Sequence, residues 1–595
     1  MNKNNIWSAV LILVTVTLTA CGGGSDSAQT SANPSPVQPT PTTPTTPTTP
    51  TTPSTPTAPT TPSTPTVPTV PSVELTENAA ARFLTQATFG PTLAEIQALT
   101  EQGFDDWLDE QITLPMSSHR TRTESIFLAD TNAQEREAER PWSGHRYSAW
   151  LDIAYHGEDQ LRQRVAFALS QLFVVSDKSM LDNEHYALAA YYDGLAEHAF
   201  GSYRDLLEYV TLSPVMGLYL NMLGNEKPDL ENNIRPDENY AREVMQLFTI
   251  GLDELNIDGT LKQANGRPIP TYDIADVKAY AHVFTGWHFA GTTAATWHRW
   301  WQNRNFFEPM ELVAEYHANT AEQQLLSNMT VPAGVSGEQA MQIALDSLFL
   351  HPNVAPFVAQ HLIQRLVTSN PSPAYVARVA TVFNSNQNGE RGQLADVVKA
   401  ILLDPEARAE PSEQSPQFGK IKEPLLRGVQ MVRAFGIQTV ATLEPQWPEY
   451  QHNQAPLSAP SVFNFFAADF SPVGSLSDAN LVAPELEIIN DTFMVRNANH
   501  AAWWSLWAPT VAELDSADGR TMTIDYSVYT PMLATGPEPY IDFLNTVLLS
   551  GTMPEEMRQT LIDYDTATRS WQEDIARIKE LTFLVTSSPQ FAVQR

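Results

Sequence analysis

Residues 30–72 are almost entirely threonine, proline and serine, much of it repeats of Thr-Thr-Pro. Such a stretch has almost no apolar side chain to bury, and proline holds its backbone near polyproline II. It cannot join a core. Everything that packs must therefore lie in 73–595, and the tract reads as a disordered, extended tether. At ~3.1 Å per residue it would reach on the order of 100 Å.

What precedes the tether indicates what it is tied to. One lysine, Lys3, leads into an apolar run from Ile6 to Thr17. A membrane-spanning helix needs ~20 apolar residues, so this run fits the core of a secretory signal over 1–20. It ends in Leu18-Thr19-Ala20-Cys21, which resembles the bacterial lipobox. That resemblance implies cleavage before Cys21, lipidation of its thiol and attachment to a membrane. Gly22 follows, not Asp, which resembles an outer-membrane destination if the cell is Gram-negative. Cys21 is the only cysteine. Once it is acylated, no thiol is left for a disulfide, a zinc cluster or a nucleophile. The expected organisation is a signal peptide (1–20), a lipidated cysteine and linker (21–72), and a body over 73–595.

The formal net charge of −33, from 35 Lys+Arg against 68 Asp+Glu, excludes one class of partner. Nucleic-acid binding needs dense basic patches to neutralise phosphates, and none is present.

The body is patterned for a mainly α, multi-helical fold. ENAAARFLTQATFG is amphipathic. Thr92 and Glu95 form a capping box and Gly103 closes that helix. GFDDWLDEQI continues a helical hairpin. DQLRQRVAFALSQLFVVS (159–176) repeats Leu161, Val165, Leu169 and Leu172 at helical spacing. SGEQAMQIALDSLFLH opens on a second capping box, Ser336 and Gln339, and three further helices follow with short breaks. NIDGTLKQANGRPIPTYD (256–273) reads as a hairpin insert. SNMTVPAGVSG marks a soft sub-boundary near 325–337.

Several stretches together resemble the bacterial domain of unknown function 1800. They are AARFLTQATFGPT, LRQRVAFALSQLFVVS, RPDENYAREVMQLFTIGL, DVKAYAHVFTGW, HPNVAPFVAQHLIQRLVTSNPSPAYVARVATVF, KIKEPLL, PSVFNFFAADFSP, APELEII and SSPQFAVQR. The resemblance implies a secreted, largely helical protein whose gene often neighbours that of a sulfatase-like companion. It supplies no catalytic residues to carry over.

Candidate sites come from residue chemistry. In RPDENYAREVMQLFTIG (235–251), Pro236 and Gly251 frame a helix. Asp237 and Glu238 suit its first turn, and Glu238 pairs with Arg242 at i, i+4. Ala241, Val244, Met245 and Phe248 face the core. Glu243 lies deeper, beside that apolar stripe, where a carboxylate must be paired, ligating or solvated. Many members of the resembling family carry Glu and His where this chain has Gln246 and Phe248, which weakens a metal reading. In DVKAYAHVFTGW, Asp276 reads as the N-cap of a helix carrying His282, and His317 sits in a loop-like segment. Glu243, Asp276, His282 and His317 are the candidate acid/base or divalent-metal residues. Nothing in their spacing requires them to meet. HExxH, GxSxG and P-loop patterns are absent. Trp287, Trp297, Trp300 and Trp301 form an aromatic cluster of low periodicity and high polarity, suited to a planar or sugar ligand. Two functions follow: a surface binding or assembly module working with a secreted partner or polymer, or a hydrolase-like enzyme acting on extracellular polymer.

Overall fold

The computed structural model of the protein describes residues 75–439, 447–509, 511 and 522–595. The expected signal peptide and tether, with Cys21, fall on residues 1–74 and lie outside the described residues.

The body is helical, as the patterning requires. Thr76 opens Glu77–Ala87, its hydroxyl accepting from the Ala79 amide. Leu93–Gln102 starts on the capping box of Thr92 and Glu95 and ends at Gly103, whose φ is 89°. Phe104–Thr113 completes the hairpin, and Phe104 stacks on Phe83 with ring centroids 4.5 Å apart. Ser336 caps Gly337–Phe349, and Val354–Leu366, Pro373–Asn384 and Leu394–Leu402 follow it.

Two helices are shorter than their sequence patterns. The 159–176 stretch is helical only over Gln160–Ser170. The β-branched Val174 and Val175 favour extended backbone, and Ser176 bridges to Ser458 instead. The 235–251 stretch is helical only over Asn239–Gln246. Pro236 and Asp237 precede it, and Asp237 Oδ1 accepts from the Asn239 amide (2.8 Å).

The hairpin insert pairs Gln263–Ala264 with Arg267–Pro268. Its turn residues, Asn265 and Gly266, have φ of 53° and 73°, the left-handed pair that a tight two-residue hairpin demands. At 325–337 the helices are interrupted, and Leu325 and Val331 still belong to the main core. One core cluster draws on residues from Ala80 to Phe591. The last residues close it: Val593–Gln594 pairs antiparallel with Lys420–Ile421, and Gln594 Nε2 donates to the Leu366 and Val367 carbonyls (2.7 and 3.1 Å). Among the described residues, no helix is long and apolar enough to cross a membrane.

Candidate binding site

The short Asn239–Gln246 helix buries Tyr240, Ala241, Val244 and Met245, with Phe248 just past its end. Arg242 reaches Glu238 at 3.3 Å. Glu243 is only 7% exposed, and its Oε2 has no hydrogen-bond partner among the described residues. Burial raises its pKa, against a smaller opposing pull from Arg242.

Asn225 ties the start of this helix to the tryptophan-rich insert. Its Oδ1 accepts from the Asp237 amide (2.8 Å) and its Nδ2 donates to the Asp237 carbonyl (3.2 Å). Its own carbonyl accepts from Gly286 N–H (2.8 Å). From Gly286 the chain enters a strand pair, Trp287–His288 against Glu311–Leu312. Trp287 and Trp297 are buried. Trp297 stacks on Tyr316 (4.1 Å, 6° between planes) and donates from Nε1 to Glu226 Oε1 (2.8 Å). His288 packs against Trp297, and its Nδ1 accepts from the Phe289 amide. Burial holds the His288 pKa down at about 4. Trp301 is 60% exposed. Trp300 begins Trp300–Gln302, and its side chain lies outside the described residues.

Each proposed acid/base residue other than Glu243 has a local partner. Asp276 is not the N-cap. Asp273 holds that place, and Asp276 Oδ2 accepts from the Asp273 amide (2.8 Å), completing a capping box. His282 Nδ1 is 3.4 Å from Gln323 Oε1. The buried His317 donates from Nδ1 to the Thr285 carbonyl (2.9 Å), and burial lowers its pKa. Thr285 brings the two histidine segments together, since its hydroxyl donates to the His282 carbonyl (2.7 Å). Among the described residues, no three His, Cys, Asp or Glu side chains are grouped to hold a metal ion.

The far end of the insert borders a cleft of about 810 Å³. Phe306, Phe307 and Pro309 form one wall. His119–Ala129, His185–Glu197 and Tyr203–Leu212 supply the others. Six carboxylates line it (Glu124, Asp193, Glu197, Asp205, Glu208 and Glu308), against Arg120 and His198. Asp193 is used structurally, capping the helix at His119 (2.6 Å to its amide). Glu208 pairs with Arg204 at 2.9 Å. Glu124 and Asp205 make no close ion pair among the described residues, and Glu197 acts on Arg162 only at longer range. Phe307 is half exposed, with the Arg120 guanidinium 3.9 Å from its ring centre.

Residues 82–593 match the family described as protein of unknown function (DUF1800). The chain belongs to this family. No curated protein and no solved structure matches it.

The stretches that resemble the DUF1800 family converge on a buried ionic centre that the sequence reading missed. Arg164, Arg365, Lys420, Glu423 and Glu485 are all buried. Arg164 Nη2 donates to the Arg365 carbonyl (2.6 Å). Lys420 Nζ donates to the Gln364 and Arg365 carbonyls (2.9 and 3.0 Å), placing a cation at the helix end where the backbone dipole is negative. Glu423 Oε2 accepts from Gln171 and Gln454 (2.7 and 2.5 Å). The Arg365 guanidinium stands 4.6 Å from the Phe466 ring centre. Burial pushes both arginine pKa values down, and Glu423 and Glu485 pull them partly back. The visible signal was charge inside apolar runs, as in KIKEPLL and APELEII. Such charges are almost never fully buried unless paired.

Proposed function

We propose that this is a lipid-anchored, extracytoplasmic binding or assembly module engaging a secreted partner or surface polymer that carries cationic groups. The observation that carries the reading is the 810 Å³ cleft, lined by Glu124, Glu197 and Asp205, which make no close ion pair among the described residues, and by the half-exposed Phe307, which already holds the Arg120 guanidinium over its ring. Carboxylates supply coulombic attraction to an amine, and the Arg120–Phe307 contact shows that the ring accepts a cation on its face. The lipobox at Cys21 and the Thr/Pro tract support display of this cleft at a distance from the envelope membrane.

The test is calorimetric titration of the full chain with a glucosamine hexamer, one amine per sugar, and with its fully N-acetylated, neutral form. The cationic oligomer binds and the neutral one does not. The triple variant Glu124→Gln/Glu197→Gln/Asp205→Asn weakens binding about tenfold, since each partly screened pair contributes about 0.5 kcal/mol. Equal binding of the two oligomers, or no loss in the variant, sinks the reading.

A second reading, an acid/base hydrolase acting on extracellular polymer, draws support from Glu243. A buried carboxylate with an unpartnered oxygen and a raised pKa is the kind of group that catalysis uses. Polymer turnover by the wild type that is lost in Glu243→Gln would favour it.

A further inference from the structure

A second cavity, of about 320 Å³, lies between Pro424–Phe435, Asp491–Ala502 and the C-terminal segment. Its lining is mostly apolar, with Met431, Ile489, Met494 and Phe591 among its walls. Its one fixed charge is Arg427. The Nε and Nη2 atoms of Arg427 are closed off from solvent and have no hydrogen-bond partner among the described residues. No carboxylate pairs with it there either, and burial alone brings its pKa down to about 10.

The neighbours deepen the deficit of negative charge. Lys422 is buried, held by Gln430 Oε1 (2.7 Å) and standing 4.4 Å from the Phe591 ring centre. Burial disfavours its charge, and the like charge of Arg427 disfavours it further. The other polar residues of the pocket carry no negative charge. His452 donates from Nδ1 to Asn497 Oδ1 (3.0 Å), and His500 Nε2 accepts from Trp504 Nε1 (3.1 Å). Gly428 lets both rings pack against the helix, because a Cβ there would stand 2.8 Å from His452 Cε1 and 3.1 Å from His500 Cε1.

Arg427 is half-buried, and two of its three guanidinium nitrogens are shut off from water without a partner, which is unfavourable for a cation. This chain has 68 acidic residues for 35 basic ones, so the missing partner does not reflect a shortage of carboxylates. A preformed apolar pocket with one convergent charge is the form of a small-molecule site. We propose that this cavity binds an organic anion, a carboxylate on an apolar body of up to ~20 non-hydrogen atoms, with the carboxylate meeting the Arg427 guanidinium and the apolar part lying among Met431, Met494 and Phe591. The site is separate from the acidic cleft, which repels the same ligand.

The test is titration of the full chain with octanoate and with 1-octanol, which has a similar apolar body and no charge. Octanoate binds at least tenfold more tightly than 1-octanol. Arg427→Met lowers octanoate affinity at least tenfold, leaves 1-octanol affinity within twofold, and does not lower the melting temperature. Equal affinities in the wild type, or unchanged octanoate affinity in Arg427→Met, overturn the proposal. Should Arg427→Met fail to fold, Met494→Trp fills the cavity from the other helix. Octanoate binding that survives Met494→Trp overturns the proposal as well. The triple cleft variant binds octanoate as the wild type does, so failure of one site is distinguishable from failure of the other.

Discussion

Lys420 Nζ meets Glu485 Oε1 at 3.0 Å with both side chains at or below 1% exposure. Neither Glu485 oxygen has an aligned hydrogen-bond donor among the described residues, so the attraction is mainly coulombic. Removing one member unbalances the buried centre: Lys420 is left with Glu423 alone, and Glu485 with the more distant pull of Arg164 and Arg365. Lys420→Met and Glu485→Leu should each destabilise by about 3–5 kcal/mol, because the desolvation cost of the surviving ion is no longer fully offset. The double variant Lys420→Met/Glu485→Leu should lose clearly less than the sum, since replacing a whole buried pair by apolar groups is often close to neutral. Urea midpoints of the three variants measure this. An additive double variant would mean that the two residues do not act as a pair.

Acid should unfold this protein through its histidines. Burial lowers the pKa of His185, His288 and His452 to about 4 and that of His361 to about 3. Between those values and the ordinary histidine value of about 6.5, the unfolded chain binds protons that the folded chain refuses. Stability is therefore full above pH ~6.5 and falls as pH drops towards 4. One histidine lowered from 6.5 to about 4 contributes on the order of 3 kcal/mol to that loss. The urea midpoint should decline steeply between pH 6.5 and 4, and His361→Gln should make the decline shallower. A midpoint that stays flat over this range would show that the rings accept protons in place.

Much of the fold was legible because it rests on local signals. Thr92 with Glu95, Gly103, and the hairpin within 256–273 each satisfy a backbone requirement that is fixed within a few residues. The stripe of Ala241, Val244 and Met245 faced the core as its spacing requires. Errors arose where two local solutions compete. Asp273 and Asp276 are three apart, and either acid satisfies an N-cap reading. The structure uses both, with Asp273 as cap and Asp276 returning the bond. Past Ser170, helical periodicity continued into Val174 and Val175, but a distant pairing with Ser458 took the chain away. Pairings across the sequence left no pattern to read. Lys420 with Glu485, and Asn225 with Asp237 and Gly286, are set by tertiary packing. Arg427 is the converse case, because its missing partner shows only once its surroundings are known.

Glu243 offers a way to separate structure from function. Its folded pKa is raised by burial, so the folded state holds a proton that the unfolded state releases. Its contribution therefore declines as pH rises above the ordinary Glu range, opposite in sign to that of the histidines. Glu243→Gln removes the charge and keeps the shape, and should stabilise by about 1 kcal/mol at pH 7, the lower end of the cost of an unsatisfied buried polar group. The gain should vanish near pH 4. Glu243→Gln that is instead less stable at pH 7 would mean that the carboxylate has a stabilising partner. A variant that gains stability and loses a measured activity would mark Glu243 as a functional residue retained at the expense of the fold.

Membrane attachment should depend on one atom. Cys21 is the only cysteine in the chain, preceded by Leu18-Thr19-Ala20 and followed by a tract rich in threonine and proline. If its thiol carries the lipid, the body is held by buried acyl chains alone, at about 0.8 kcal/mol per buried CH₂. Cys21→Ser should then move the protein from the membrane pellet to the soluble extracytoplasmic fraction, while the thermal unfolding of the body stays unchanged. Loss of attachment together with a lower melting temperature would instead implicate misfolding. Retention of Cys21→Ser in the pellet after a high-salt wash would show that something other than this cysteine holds the protein at the envelope.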